Sequence, residues 1–182
     1  MATNEVRISG GEFRGRKLKT PGGDTHPMGE RERLALFNML GKDIEDAYVL
    51  DAYAGGGTLG FEALSRGAKD VIFIEKNQKA CDVICENAEA LGIPEAGTPL
   101  CGKVEEFLPI TTDRFEIIFA DPPYDEFNPR IIDALKDVLG WDGLMIVSHP
   151  GEPTEIDGVT IVKSKKYARA RLTIYQRDKN IF

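Results

Sequence analysis

Tyr48-Val49-Leu50-Asp51-Ala52-Tyr53-Ala54-Gly55-Gly56-Gly57-Thr58-Leu59-Gly60 decides the fold of this chain. A short apolar run ends in an acid and a glycine loop, and a helical pattern follows from Leu59 to Arg66, closed by Gly67. That order reads as a buried strand, a tight turn and a helix. Further along, Val71–Glu75 is a second apolar strand, and Asn77 is placed to cap a helix reaching about Leu91 before Gly92. Thr98–Cys101 is a weak strand, Phe115–Ala120 a strong one, Pro129–Leu139 a helix and Leu144–Ser148 a strand. Val159–Val162 and Arg171–Gln176 are close enough to pair as an antiparallel hairpin. Continuous apolar strands alternating with helices predict an α/β fold, with a parallel sheet covered on both faces.

Upstream, Val6–Ser9 and Arg16–Leu18 flank Gly10-Gly11 and a basic turn, which predicts a hairpin arm. Pro21, Gly22, Gly23 and Pro27 break the chain, so residues 1–27 are expected to form a basic arm and 28–182 the main domain. Glu30–Leu40 has a helical pattern with Leu34, Phe37 and Leu40 on one face, Arg31 and Arg33 elsewhere, and Gly41 at its end.

Gly55, Gly57 and Gly60 satisfy G-x-G-x-x-G, and Glu75 ends the next strand, 18 residues beyond Gly57. Glycines let the backbone turn tightly and approach a ligand, and a carboxylate at that distance can accept both hydroxyls of a ribose. Taken alone, the pattern fits a nicotinamide dinucleotide as well. Asp51 before the glycines favours S-adenosylmethionine, because a carboxylate suits its positive methionine end and would repel a pyrophosphate. The chain also leaves little length for a dehydrogenase's substrate domain.

Asp121-Pro122-Pro123-Tyr124 follows the strongest strand. The prolines fix the backbone and remove two N–H donors, leaving the Pro122 carbonyl and the Asp121 carboxylate as acceptors beside the flat face of Tyr124. That set matches a planar ring bearing an exocyclic amino group, stacked on Tyr124 with its amine held by the two acceptors. Transfer of an activated methyl group to that amine needs positioning and exclusion of water more than a strong base.

The 182 residues have 42% hydrophobic and 29% charged content, which suits one globular domain. No apolar run approaches the roughly 20 residues of a membrane helix, and the N-terminus lacks a secretory stretch, so a cytoplasmic location is expected. Cys81, Cys85 and Cys101 are an odd set that implies no disulfide framework, and they are expected to act as small buried hydrophobes. With His26 and His149 remote from them, no metal site is expected. The net charge of −7 is uneven. Residues 1–20 carry five basic and two acidic groups, and residues 163–182 carry seven and one. The acidic middle is thus flanked by basic ends, a pattern that can mark a nucleic-acid-facing edge.

On these residues the chain resembles the class I S-adenosylmethionine-dependent methyltransferases, and within them the bacterial 16S ribosomal RNA guanine-N2 methyltransferases (the RsmD-like family). The likeness runs through Arg7-Ile8-Ser9-Gly10-Gly11, Arg14-Gly15-Arg16, Leu36-Phe37-Asn38, Leu50-Asp51, Ala54-Gly55, Glu62 to Ala68 and Asp121 to Tyr124. It implies a Rossmann-like sheet of seven strands, mostly parallel with the last antiparallel. It implies methylation of one guanine amine in 16S rRNA, within a small ribosomal subunit, by a protein expected to be monomeric. The base must be unstacked to enter the pocket. Cofactor contacts would fall on Asp51, Tyr53, Gly55, Gly57, Gly60, Glu75, Lys76 and Val104, and catalysis on Asp121, Pro122, Pro123 and Tyr124. Phosphate contacts would fall on Arg14, Arg16, Lys17, Arg31, Arg33, Lys166 and Arg169. The family usually has Arg-Pro-Thr at His26-Pro27-Met28, a glutamate at Leu34 and Asp or Asn near Lys103, which leaves the backbone around Val104 to recognise the adenine. A DNA amino-methyltransferase shares the Asp-Pro-Pro-Tyr motif, a dehydrogenase the glycine loop, and a non-catalytic assembly factor would need neither intact.

Overall fold

The computed structural model describes residues 5–22, 28–167 and 170–178. Nine strands and five α-helices are found among them. The strands are β1 (Glu5–Arg7), β2 (Lys17–Lys19), β3 (Tyr48–Asp51), β4 (Asp70–Glu75), β5 (Leu100–Cys101), β6 (Phe115–Ala120), β7 (Leu139–His149), β8 (Val159–Lys166) and β9 (Arg171–Arg177). The helices are α1 (Glu30–Leu40), α2 (Thr58–Ser65), α3 (Gln78–Leu91), α4 (Val104–Phe107) and α5 (Pro129–Leu135).

Seven strands form one sheet in the order β5-β4-β3-β6-β7-β9-β8, parallel from β5 to β7, with the last strand of the chain, β9, inserted antiparallel. The expected architecture is therefore present. The chain builds outward from β3 to β5, then returns to begin β6 on the other side of β3. Asp51 stands opposite Phe119, so the loops after β3 and β6 leave the sheet side by side at this reversal. A crevice opens at such a point in open α/β sheets.

Both faces are buried because each central strand is apolar on both sides. In β6, Ile117 and Phe119 join one cluster with Leu36, Phe37, Phe61 and Ile84, while Phe115, Ile118 and Ala120 join the other with Ile132 and Leu135. The caps act as the sequence predicts. Asn77 accepts the N–H groups of Lys79 and Ala80, and Gly92 ends α3 in the left-handed conformation at φ +80°.

Four expectations change. The buried face of α1 is Arg33, Leu36, Phe37 and Leu40, whereas Leu34 is exposed, so the helix is turned to bury an arginine. The helix expected to reach Leu139 ends at Leu135, because Leu139 already pairs with Phe115 as the start of β7. Cys81 is buried, but its sulfur pairs with that of Cys101 as a disulfide across 20 residues, which the odd cysteine count concealed. Cys85 and Cys101 are exposed instead of filling a core. The amino-terminal arm is the expected hairpin, with Val6 opposite Leu18, and its Ile8 and Leu18 enter the main apolar cluster.

Candidate active site

The glycine loop occupies the crevice wall above β3. Its three motif glycines are needed for different reasons. Gly55 has φ +55°, and a Cβ there would meet nothing within 4 Å, so its outer face has room for a ligand. Gly57 has φ +80° and precedes α2, and Gly60 lies where a Cβ would sit 2.2 Å from the Phe73 ring. The last glycine thus lets α2 pack directly on β4.

Two carboxylates hold this loop. Glu75, at the end of β4, accepts the Gly55 N–H at 2.8 Å and the Asn77 N–H at 2.8 Å. Asp51, only 1% exposed, accepts the Gly60 N–H at 3.0 Å in the first turn of α2. Burial lifts the Asp51 carboxyl to about 7; the Gly60 N–H opposes the rise, and the negative groups Asp121 and Glu75 add to it. Tyr53 is half-buried, and burial pushes its phenol to about 12, so it stays neutral. Val104 is buried at the start of α4, while Lys76 is exposed and ion-paired with Glu126. Glycines that admit a ligand, a carboxylate that can take a diol and a buried carboxyl facing cationic chemistry fit the expected nucleoside cofactor.

The second loop follows β6. Pro122 is buried, and Tyr124 opens a short turn with 41% of its surface exposed. Ser148, buried at the end of β7, hydrogen-bonds the Asp121 carboxylate and stands 3.5 Å from the Tyr124 hydroxyl. Burial pushes the Asp121 carboxyl up to about 6; the Ser148 bond works against this, and Glu32 on α1 adds to it. Sequence reading missed Ser148, since a serine inside an apolar strand carries no motif. It also missed Glu32, which the fold brings to the second loop from 89 residues upstream.

The basic residues divide. Arg14, Arg16, Lys17, Arg31 and Lys166 are exposed, and Arg169 lies outside the described residues, as do His26 and Pro27. Arg33 corrects its expectation. It is fully buried, ion-paired with Glu62 at 3.4 Å, and donates to the carbonyls of Arg7 (2.6 Å) and Met28 (3.3 Å). Glu62 also accepts from the Ser9 N–H and hydroxyl and from Arg66. Arg33 therefore fastens the arm instead of facing phosphate, and breaking one side of such a buried pair typically costs roughly 3–5 kcal/mol. The arm's turn docks at Ser65, whose carbonyl and hydroxyl take the N–H groups of Glu12 and Phe13. That dock is about 12 Å along α2 from Gly57. By contrast, Lys166 aligns with Arg171, which aligns with His149 at the end of β7, so this basic pair lies at the same end of the sheet as Asp121.

The family model described as Conserved hypothetical protein 95 matches residues 6–176. The chain belongs to this RsmD-like family. It is 32% identical over 184 residues to Ribosomal RNA small subunit methyltransferase D of Escherichia coli (strain K12), covering 97% of this chain and 92% of that one. The enzyme of the same name from Haemophilus influenzae is 37% identical over 131 residues, covering 70% and 67%. A solved Escherichia coli structure, provisionally named the methyltransferase yhhF, superposes with a TM-score of 0.86 at 32% identity, covering 97% of this chain and all of that one. Family membership thus spans both loops of the crevice and most of the arm.

Proposed function

We propose that this chain is a cytoplasmic, monomeric enzyme that transfers a methyl group from S-adenosylmethionine to the exocyclic N2 amine of a guanine in 16S rRNA of the small ribosomal subunit. One observation carries the reading: the glycine loop with Glu75 and the Asp121–Tyr124 loop leave neighbouring strands side by side. Kinship with rRNA methyltransferases named for the small subunit supports rRNA as substrate.

Glu75 takes the ribose hydroxyls, Val104 lines the adenine, and Gly55 lets the backbone approach the cofactor, while Gly57, where a Cβ would sit 2.7 Å from the Phe61 ring, lets the turn close on the core behind it. The cofactor supplies an electrophilic methyl group. The base stacks on Tyr124, and its two amino hydrogens go to the Asp121 carboxylate and the Pro122 carbonyl. The amine lone pair then faces the methyl group. After transfer the nitrogen carries one proton too many, and the Asp121 carboxylate is placed to accept it. Ionised Asp121 is required for both roles, so turnover rises as pH increases through about 6. Positioning in a dry crevice provides most of the rate.

The test is to supply labelled S-adenosylmethionine with small subunits, protein-free 16S rRNA and DNA, then map the labelled base. Label on guanine N2 in the RNA is expected. Label on adenine in DNA overturns the proposal.

A further inference from the structure

Asn87 is a polar residue on the buried face of α3, among Ala80, Ile84, Ala88 and Leu91, and it is 1% exposed. Its side-chain hydrogen bonds leave the helix. Its Oδ1 accepts the Lys19 N–H at 2.8 Å. Its Nδ2 donates to the Lys19 carbonyl at 3.0 Å and to the Gly56 carbonyl at 3.0 Å. One amide group therefore ties the second arm strand, the cofactor loop and α3 together. The contact is tight: a Cβ at Gly56 would sit 3.1 Å from the Lys19 carbonyl and 3.1 Å from the Pro21 ring. Gly56 is thus held from the arm side by Asn87, while its neighbour Gly55 is held from the cofactor side by Glu75.

We infer that Asn87 is a positioning residue that couples the RNA-facing arm to the cofactor loop, so that rRNA and cofactor strengthen each other's binding. The inference rests on the methyltransferase reading above. A buried polar group with partners on two other elements leaves unsatisfied groups on both when it is changed. Phosphates held by the arm bear on the Lys17–Lys19 strand, and the Asn87 bonds carry that restraint to the loop whose neighbouring amide binds Glu75. Such coupling is reciprocal by linkage.

Asn87→Asp is the informative variant, because it keeps the acceptor for Lys19 and loses both donated bonds. Titration calorimetry with S-adenosylhomocysteine, with and without protein-free 16S rRNA, gives the readout. In the wild type, rRNA should tighten S-adenosylhomocysteine binding by about fivefold or more. N87D should bind it about tenfold more weakly and gain nothing from rRNA. Glu86→Ala removes the exposed 2.7 Å ion pair with Lys19 at the same junction and should behave as wild type. A second measurement needs no variant: hydrogen exchange at the Gly56 and Gly57 amides of the wild type should slow on adding rRNA. Equal affinity in N87D and wild type, equal tightening by rRNA in both, or loop exchange that ignores rRNA overturns the coupling. A wild type that binds no S-adenosylhomocysteine overturns the cofactor reading itself, and this inference with it.

Discussion

The two walls of the crevice are built differently. On the glycine-loop side, Gly55, Gly56 and Gly60 each bond to a side chain from another part of the chain, namely Glu75, Asn87 and Asp51. On the other side, Asp121 and Tyr124 rest on two prolines and one hydroxyl, Ser148, and Tyr124 keeps about two-fifths of its surface exposed. A small cofactor of fixed shape suits a wall set before binding. A base drawn out of a folded RNA suits a wall that leaves an aromatic face open. The contrast predicts that changes on the first wall alter affinity and changes on the second alter turnover.

The sharpest break is Asp121→Ala, which should lower single-turnover methylation by about 10³-fold. Affinity for S-adenosylhomocysteine, read by calorimetry, should hardly change; a matching loss of affinity would erase the distinction between the walls. Next, Glu75→Ala should weaken S-adenosylhomocysteine binding by about 100-fold through lost charge-assisted bonds, with a smaller effect on turnover at saturation. Tyr124→Ala should cost about tenfold in kcat/KM for RNA through lost stacking, while Tyr124→Phe, which keeps the ring, should stay within about threefold. The mildest change is Ser148→Ala. The Ser148 bond lowers the Asp121 carboxyl, so its removal should move the acid limb of the rate profile, near pH 6 in the wild type, to higher pH. A limb that stays in place would separate that titration from Asp121.

The arm illustrates how far one motif can be read. Its basic side chains suggest a phosphate-binding arm, yet the run Ser9-Gly10-Gly11 serves to dock it. Gly11 has φ +79°, and a Cβ there would sit 1.7 Å from the Ser65 carbonyl, so only glycine allows the arm to lie against the end of α2. Arg33 follows the same logic: its i, i+3, i+4 spacing to Leu36 and Phe37 is that of a buried face, but its charge argues for the surface. The partner that reverses this, Glu62, lies 29 residues away in α2.

Local pattern was enough to place the strand-turn-helix around Gly55–Gly60, the Asn77 and Gly92 helix ends, the alternating α/β order and the acid at Glu75, because each is set by backbone preference or periodicity within a few residues. Tertiary structure alone decided that Arg33 is buried, that Ser148 and Glu32 converge on Asp121, that Cys81 meets Cys101, and that Asn87 joins the arm to the glycine loop. Each of those depends on strand order and on which helix faces which, and long-range contacts of that kind leave no periodic trace in the chain.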